Sequence, residues 1–245
     1  MAKFAVILPA AGKSSRFKDK HYKKVFANLA GRAVWLHVAD RFLNRNDTLQ
    51  TILVISPDDR EDFMSKFGAN IAILGIQVVD GGAERADSVE AALAHVQPAA
   101  DFVCVHDAAR PCIVEPWIDE VYAAAEKSGA AIAAIPVSNT LKRAGANHET
   151  EETVDRSGLW AAQTPQVFRR ELLLEAYAKR DGFNATDDAQ LVERIAHAVT
   201  LVPGSPLNFK ITTQEDLRLA EATLKVLPKP KLPGGHPFKD DEMWR

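Results

Sequence analysis

The sequence predicts an α/β fold with a mostly parallel, doubly wound sheet. Short apolar runs alternate with stretches of helical spacing up to residue 136, which is the pattern of strand–helix–strand units. The runs are almost entirely apolar, as expected of strands that are buried on both faces. Apolar residues make up 47% of the 245-residue chain, which is sufficient for a sizeable core. Loops at the carboxyl ends of parallel strands line one crevice, and we expect the ligand site there.

The individual elements follow from this pattern in chain order. Val34, Val38 and Phe42 form one apolar stripe, which predicts a helix over residues 33–43. Residues 212–215 form a capping box that starts the last helix. Strands are predicted at residues 4–8, 51–55, 76–79, 102–106, 130–136, 200–202 and 209–211. The other helices are predicted at residues 58–67, 88–96, 116–126, 169–179 and 187–196, and the last one ends at about residue 226.

Two segments depart from this alternation. Residues 138–160 are polar and contain two strand-like pieces around a polar tip, so we expect a β-arm that leaves the main sheet, with a disordered loop as the alternative. Residues 228–245 contain four prolines and a Gly-Gly pair, which predicts an extended tail that is ordered only if it docks. One domain over residues 1–227 remains.

Composition and charge exclude several classes of protein. The formal net charge is −3, which argues against a protein that holds nucleic acid by charge alone. No apolar run approaches the ~18 residues of a membrane span, and five apolar residues before Pro9 are too few for a signal peptide. Two cysteines, Cys104 and Cys112, indicate a reducing compartment. We therefore expect a cytoplasmic enzyme without nucleic-acid or membrane partners.

The loop after the first strand is a candidate phosphate site. Residues 9–17 read PAAGKSSRF, and small residues there let backbone N–H groups approach phosphates. The motif is neither a dinucleotide-binding fingerprint nor a P-loop. Residues 13–24 contain six bases and one acid, a net charge of +5. A solvated basic loop is the alternative, but the position favours a multiply charged anion such as a triphosphate.

Two further motifs follow predicted strands. In residues 105–111 (VHDAARP), Asp107 is a candidate ligand of Mg²⁺ or of a sugar hydroxyl, and Arg110 a candidate phosphate contact. A structural ion pair or turn cap is the alternative for both, and His106 is expected to be a packed strand residue. In residues 80–89 (DGGAERADSV), the glycine pair and Ser88 suggest base recognition, although Ser88 is equally typical of a plain first helical turn.

These motifs together resemble the 2-C-methyl-D-erythritol 4-phosphate cytidylyltransferase family over residues 3–226. The resemblance also includes residues 155–160 (DRSGLW), 163–166 (QTPQ), 186–188 (TDD) and 208–212 (NFKIT). It implies a Rossmann-like three-layer nucleotidyltransferase domain with a protruding β-arm, through which two copies form a homodimer. It also implies Mg²⁺ as cofactor and transfer of CMP from CTP to methylerythritol phosphate in isoprenoid precursor biosynthesis. The 228–245 tail lies outside it.

The resemblance also implies roles for individual residues. Arg16 and Lys23 would hold the triphosphate, and Arg156 and Lys210 would position the acceptor phosphate, which makes these four the candidate catalytic residues. Asp107 would lie near the magnesium ion. The residues implied in CTP and Mg²⁺ binding are Ala10, Ala11, Gly12, Gly82, Ser88, Asp107 and Ala108. Those implied in acceptor binding are Asp107, Arg110, Thr140, Arg156, Thr164, Thr186 and Lys210, with Thr140 and Arg156 reaching the partner subunit's site.

Two positions depart from the family pattern. Tyr22-Lys23-Lys24-Val25 stands where the family usually has Pro-Lys-Gln and an aromatic residue, so Lys24 or Lys20 is an alternative to Lys23. Ala83 stands where the family usually has an acid.

Alternative functions are cytidylyl transfer to another polyol phosphate, such as ribitol 5-phosphate, and nucleotide binding without turnover. The chain offers no evident Ser/His/Asp or Cys/His constellation, and a phosphate nucleophile, already ionised near neutral pH, needs no general base.

Overall fold

The computed structural model describes residues 1–12, 17 and 23–228. Within these residues the central sheet has seven strands in the order β11-β7-β10-β6-β1-β4-β5. The strands are β1 (Phe4–Pro9), β2 (Asn28–Leu29), β3 (Arg32–Ala33), β4 (Thr48–Ile55), β5 (Gln77–Asp80), β6 (Phe102–Val105), β7 (Ala130–Pro136), β8 (Leu141–Ala144), β9 (Thr150–Val154), β10 (Trp160–Arg169) and β11 (Thr200–Pro203). The helices are α1 (Val34–Leu43), α2 (Arg60–Leu74), α3 (Arg85–Leu93), α4 (Glu115–Ser128), α5 (Arg170–Ala178), α6 (Asp188–Arg194) and α7 (Gln214–Leu224).

The sheet is mostly parallel, which confirms the predicted fold class. β1 pairs in parallel with β4 and β6, and β4–β5 and β11–β7 are also parallel. Alternate residues of β1 pack on opposite faces: Phe4, Val6 and Leu8 contact α1, α2 and α4, whereas Ala5 and Ile7 belong to the core under α3, α5 and α6. A sheet covered by helices on both faces gives the three predicted layers.

Two predicted helices have different limits in the structure. α2 runs from Arg60 to Leu74, past the expected end at residue 67, because Ile71 still packs on the core and the left-handed Gly75 (φ +63°) provides the C-cap. α3 begins at Arg85 rather than at residue 88, because Glu84 and Asp87 form a reciprocal capping box. Ser88 therefore lies one turn inside the helix, where its hydroxyl donates to the Glu84 carbonyl at 3.1 Å.

The strand predictions contain three omissions, the two-residue strands β2 and β3 and the long strand β10, and one error. β10 was not expected, since it is polar and contains a proline, yet it lies between β6 and β7 and is antiparallel to both. Residues 209–211 are not a strand. They form an extended segment in which the Ile211 N–H donates to the Ala109 carbonyl at 2.8 Å, and this segment carries Lys210 past the end of β6.

Residues 138–160 contain a two-stranded antiparallel hairpin, β8–β9, that is separate from the central sheet and largely exposed. Its use as a dimer arm stays a prediction.

Arg16 and the tail beyond Pro228 lie outside the described residues. Cys104 and Cys112 are fully buried, and burial raises their pKa values to about 12 and about 11. Within the described ranges, no helix is long and apolar enough to cross a membrane.

Candidate active site

Three adjoining cavities lie at the carboxyl ends of β1, β5 and β6. The glycine-loop cavity, of about 590 Å³, is lined by residues that include Ala11, Gly12, Lys23, Gly82 and Ser88. The central cleft, of about 100 Å³, is lined by residues that include Ala10, Lys24, Asp107 and Lys210. The Thr164 cavity, of about 270 Å³, is lined by residues that include Asp107, Arg110, Thr164, Thr186 and Lys210. The crevice lies at the edge of the sheet that the sequence predicts.

The glycine-loop cavity depends on a close approach of two loops. A Cβ atom on Gly81 would lie 2.7 Å from the Ala11 Cβ atom and 2.7 Å from Ser88 Oγ. A Cβ atom on Gly82 would lie 2.3 Å from the Asp87 Cβ atom. Glycine is therefore needed at position 81 for the β5–α3 loop to pack against the β1 loop, and at position 82 for the same loop to pack against the first turn of α3.

Asp107 is the centre of the charged cluster between the cavities. Its Oδ2 atom lies 3.0 Å from Lys210 Nζ and 3.3 Å from Arg110 Nε, and its Oδ1 atom lies 3.4 Å from Arg85 Nε. The Asp107 side chain is only 7% exposed. Burial alone would raise the pKa of this carboxyl, but Lys210, Arg85 and Arg110 hold it well below the ordinary value. Asp107 is therefore ionised.

A hydrogen-bond chain fixes the loop that carries Asp107. The Asp107 backbone N–H donates to Thr164 Oγ1 at 3.0 Å, and the Thr164 hydroxyl donates to His106 Nδ1 at 3.2 Å. His106 Nε2 donates to the Arg110 carbonyl at 3.2 Å, which sets the tautomer. Burial lowers the pKa of His106 to about 4. The expectation that His106 is a packed residue is confirmed, and a neutral, fully buried imidazole is no general base here.

Arg110 and Asn208 connect this loop to the segment that carries Lys210. Arg110 Nη1 donates to the Asn208 carbonyl at 2.8 Å, and Asn208 Nδ2 donates to the Thr164 carbonyl at 2.8 Å. Asn208 is 1% exposed. The loop after β6, strand β10 and the segment after β11 are thereby held together, and Asp107, Arg110 and Lys210 keep a fixed geometry.

Arg85 was not among the predicted site residues, although it lies in the 80–89 motif. It lines all three cavities. Its Nη2 atom lies 2.8 Å from an oxygen of Asp188, which is fully buried. Burial would lower the pKa of Arg85, but Asp188 and Asp107 raise it above the ordinary value. A basic residue in the first turn of a helix that opens onto the crevice is the sequence signal that could have identified it.

The structure brings most of the predicted site residues together and leaves three apart. Lys23 and Lys24 both line the site, and the Lys23 ammonium pairs with Asp59. Ala108 is fully buried, and its N–H donates to the Pro9 carbonyl at 3.3 Å. It therefore holds the end of β1 in place, and it lines none of the three cavities. Thr140 and Arg156 are exposed and line none of the three cavities. The Arg156 guanidinium donates to the Ser138 carbonyl at the base of the hairpin.

The charges of the cluster suit two anions held side by side. Arg85, Arg110 and Lys210 outnumber the two carboxylates, Asp107 and Asp188, so the cluster carries a net positive charge. Among the residues that the structure describes, no group of three or more His, Cys, Asp or Glu side chains could hold a metal ion by itself. Asp107 would supply a carboxylate ligand to a cation between the cavities, and a bound phosphate would supply others.

Comparison with known proteins shows the family of this chain. The family model for 2-C-methyl-D-erythritol 4-phosphate cytidylyltransferase matches residues 4–226. The protein of that name from Rhodopirellula baltica is 46% identical over 234 residues, which cover 91% of this chain and 95% of the relative. The Bacillus velezensis protein is 42% identical over 226 residues, which cover 91% and 96% of the two chains. The crystal structure of the Thermus thermophilus cytidylyltransferase superposes with a TM-score of 0.74 at 34% identity and covers 92% of this chain and 100% of that chain. On these matches the chain belongs to the 2-C-methyl-D-erythritol 4-phosphate cytidylyltransferase family.

Proposed function

We propose that this enzyme transfers CMP from CTP to 2-C-methyl-D-erythritol 4-phosphate in isoprenoid precursor biosynthesis. An oxygen of the acceptor phosphate bonds to the α-phosphorus of CTP, the bond from that phosphorus to the β-phosphate oxygen breaks, and pyrophosphate leaves. The product is 4-diphosphocytidyl-2-C-methyl-D-erythritol. The observation that supports the assignment most is the Asp107 cluster, because its three cations lie between a cavity of nucleotide size and a second, smaller cavity.

The glycine-loop cavity is the proposed nucleotide site. Ala10, Ala11 and Gly12 follow β1, and Gly82 and Ser88 face them across the cavity and the central cleft. Their backbone and hydroxyl groups would contact the base and ribose. Lys23 lines the same cavity, and we propose that it exchanges Asp59 for the triphosphate with Arg16 as a second cation.

The Thr164 cavity is the proposed acceptor site. Arg110 and Lys210 supply positive charge, and Thr164 and Thr186 supply hydroxyl groups. Asp107 lies at its boundary with the central cleft and is ionised, so it accepts hydrogen bonds from an acceptor hydroxyl or binds a cation.

The chemistry requires positioning and charge stabilisation rather than a base. The attacking phosphate is already ionised, and the obstacle is the repulsion between two anions and the extra negative charge that develops at the α-phosphorus. Preorganised cations reduce both costs, and Lys210 and Arg110 are preorganised by their contacts with Asp107. Mg²⁺ on Asp107 and the triphosphate oxygens would supply further neutralisation of charge.

We further propose that the enzyme is a cytoplasmic homodimer that uses the hairpin as its arm. Thr140 and Arg156 lie on or beside the hairpin and away from the cavities of their own chain. Leu159 and Trp160, which follow the hairpin, are 41% and 38% exposed, as expected for apolar residues that a second subunit covers. Each site would then receive Arg156 from the partner subunit.

The direct test is pyrophosphate release by the purified protein. With CTP, methylerythritol phosphate and Mg²⁺ together, we expect turnover, and none when either substrate is omitted or the metal is chelated. Ribitol 5-phosphate serves as the comparison acceptor, and faster turnover with it would assign a different acceptor. Binding of CTP with no pyrophosphate release when Mg²⁺ and either acceptor are present would contradict an enzymatic role.

Replacing Gly81 by alanine is expected to raise the KM for CTP about tenfold, a loss of about 1.4 kcal/mol in binding. The new Cβ atom displaces Ala11 and Ser88, which line the nucleotide cavity. Steady-state kinetics with CTP as the varied substrate measure the effect. Gly68→Ala is the matched control, because its Cβ atom meets only Met64 Cε at 3.8 Å and alanine favours the helix by about 0.5–1 kcal/mol. Equal KM values in the two variants would contradict the proposed nucleotide site.

A further inference from the structure

Arg85 occupies the junction of the proposed nucleotide and acceptor sites. Among the described residues it is the one that lines the glycine-loop cavity, the central cleft and the Thr164 cavity together. Its Nε atom lies 3.4 Å from Asp107 and its Nη2 atom lies 2.8 Å from Asp188. One guanidinium therefore bridges a carboxylate of the site and a carboxylate behind it.

Asp188 is held rigidly from the side away from the substrates. It is fully buried, and Tyr177 donates its hydroxyl to Asp188 Oδ1 at 2.6 Å. The side-chain oxygen of Gln166 accepts the backbone N–H groups of Asp188 and Ala189, both at 3.1 Å. Gln166 in turn donates to Asp187, which caps α6. Both Asp188 oxygens are thus engaged, one by Tyr177 and one by Arg85.

A carboxylate in this position is costly unless it serves as a partner for a charge. Burial of an ion costs several kcal/mol, which a pair recovers only with good geometry and further hydrogen bonds. Asp188 lines none of the three cavities, so it does not touch a substrate in the proposed sites. Its carboxylate contacts the lining of these cavities through Arg85.

We propose that Asp188 and Arg85 are positioning residues for the transfer reaction. Asp188 fixes the guanidinium, and the guanidinium fixes the Asp107 carboxylate where it also meets Lys210 and Arg110. Because Asp188 pairs with the Arg85 guanidinium as well, Arg85 does not pull the Asp107 carboxylate away from Lys210 and Arg110. This proposal rests on the function proposed above. It assigns to Asp188 and Arg85 the role of holding the Asp107 carboxylate in position.

The test compares Asp188→Asn, Arg85→Met and the double variant. Asp188→Asn keeps the size of the side chain and removes its charge. We expect kcat/KM for methylerythritol phosphate to fall about 10–100-fold in each single variant, as is typical for groups that orient a reacting residue. The dissociation constant of CTP, measured without acceptor, should change less than about threefold for Asp188→Asn. The double variant should lie within about twofold of Arg85→Met, because Asp188 acts only through Arg85.

Arg180→Met is the matched control. Arg180 also contacts two carboxylates, Asp87 at 2.5 Å and Glu90 at 2.8 Å, and its side chain is 10% exposed, but it lines none of the cavities. We expect it to lower the melting temperature and to leave kcat/KM within about twofold of the wild type. An equal kinetic loss in Arg180→Met would show a structural role only. Losses that multiply in the Asp188→Asn/Arg85→Met double variant would show that Asp188 does not act through Arg85, and would overturn the proposal.

Arg85→Lys keeps the test decisive if Asp188→Asn does not fold. Lysine keeps the charge but is a single compact donor that cannot span two carboxylates as the guanidinium does. We expect its kinetic loss to lie within about threefold of that of Arg85→Met. Wild-type kinetics in Arg85→Lys would overturn the proposal. Pyrophosphate release by the wild-type enzyme is measured in the same series, so a wrong acceptor is recognised independently of the variants.

Discussion

Replacing Lys210 by alanine is expected to lower kcat by about 10²–10³-fold, a loss of about 3–4 kcal/mol in transition-state stabilisation. The Lys210 ammonium lies 3.0 Å from Asp107 Oδ2 and lines both the central cleft and the Thr164 cavity. It is therefore positioned where the acceptor phosphate and the α-phosphate have to meet. Charge that develops there in the transition state loses a preorganised cation when the side chain is removed.

The same substitution should change the stability of the fold very little. The Lys210 side chain is 34% exposed, and a partly exposed ion pair contributes about 0–1 kcal/mol. Asp107 keeps Arg110 and Arg85 as partners, so no buried charge is left unpaired. We expect the melting temperature to fall by less than about 4 °C.

Lys179→Ala provides the comparison for this prediction. Lys179 forms an exposed ion pair with Glu175 at 2.6 Å and lines none of the three cavities. Pyrophosphate release at saturating CTP and methylerythritol phosphate should be normal in Lys179→Ala and nearly absent in Lys210→Ala. If Lys210→Ala kept kcat within threefold of the wild type, Lys210 would have no part in the chemical step.

The order of strands and helices in the nucleotide half could be predicted because it depends on local patterns. Buried parallel strands are apolar on both faces, so β1, β4, β6 and β7 stand out against the amphipathic helices. β10 could not be recognised in this way. Gln163, Thr164 and Gln166 are polar because they line the Thr164 cavity, and Pro165 lies where the pairing register with β7 shifts. The polar residues that line the cavity therefore remove the apolar pattern by which the strand could be recognised in the sequence.

The charged cluster shows a different limit of sequence analysis. Asp107 and Arg110 are three residues apart and were recognised together, whereas Arg85 and Asp188 are 103 residues apart. In the sequence, Asp188 is one of two acids before a helix, where a carboxylate is normally a solvated cap. Asp187 does have that role, as it accepts the Gln190 N–H. Only the fold shows that the next residue is fully buried and pairs with an arginine at the site.

Replacing Arg156 by alanine is expected to abolish most of the activity of the proposed homodimer, although Arg156 is exposed and lines none of the three cavities of its own chain. In the proposed dimer this guanidinium binds the acceptor phosphate in the partner subunit's site. Losing such a charge-assisted contact should cost about 10²-fold in kcat/KM for methylerythritol phosphate. Because the exposed Arg156 side chain donates to the Ser138 carbonyl and has no ion pair among the residues that the structure describes, the fold should be unaffected.

Mixing two inactive variants distinguishes this arrangement from a site within one subunit. In a heterodimer of Arg156→Ala and Lys210→Ala chains, the site that keeps its own Lys210 receives an intact Arg156 from the other chain, while the second site lacks both. Random reassociation makes half of the dimers mixed, each with one working site, so about 25% of wild-type activity should return. Lys210→Ala mixed with Lys23→Ala is the control pair. Lys23 and Lys210 both belong to the site of their own chain, so each site of such a heterodimer lacks one of them, and the mixture should stay inactive. Mixed dimers isolated with two different affinity tags and showing no activity would mean that Arg156 does not act across the interface.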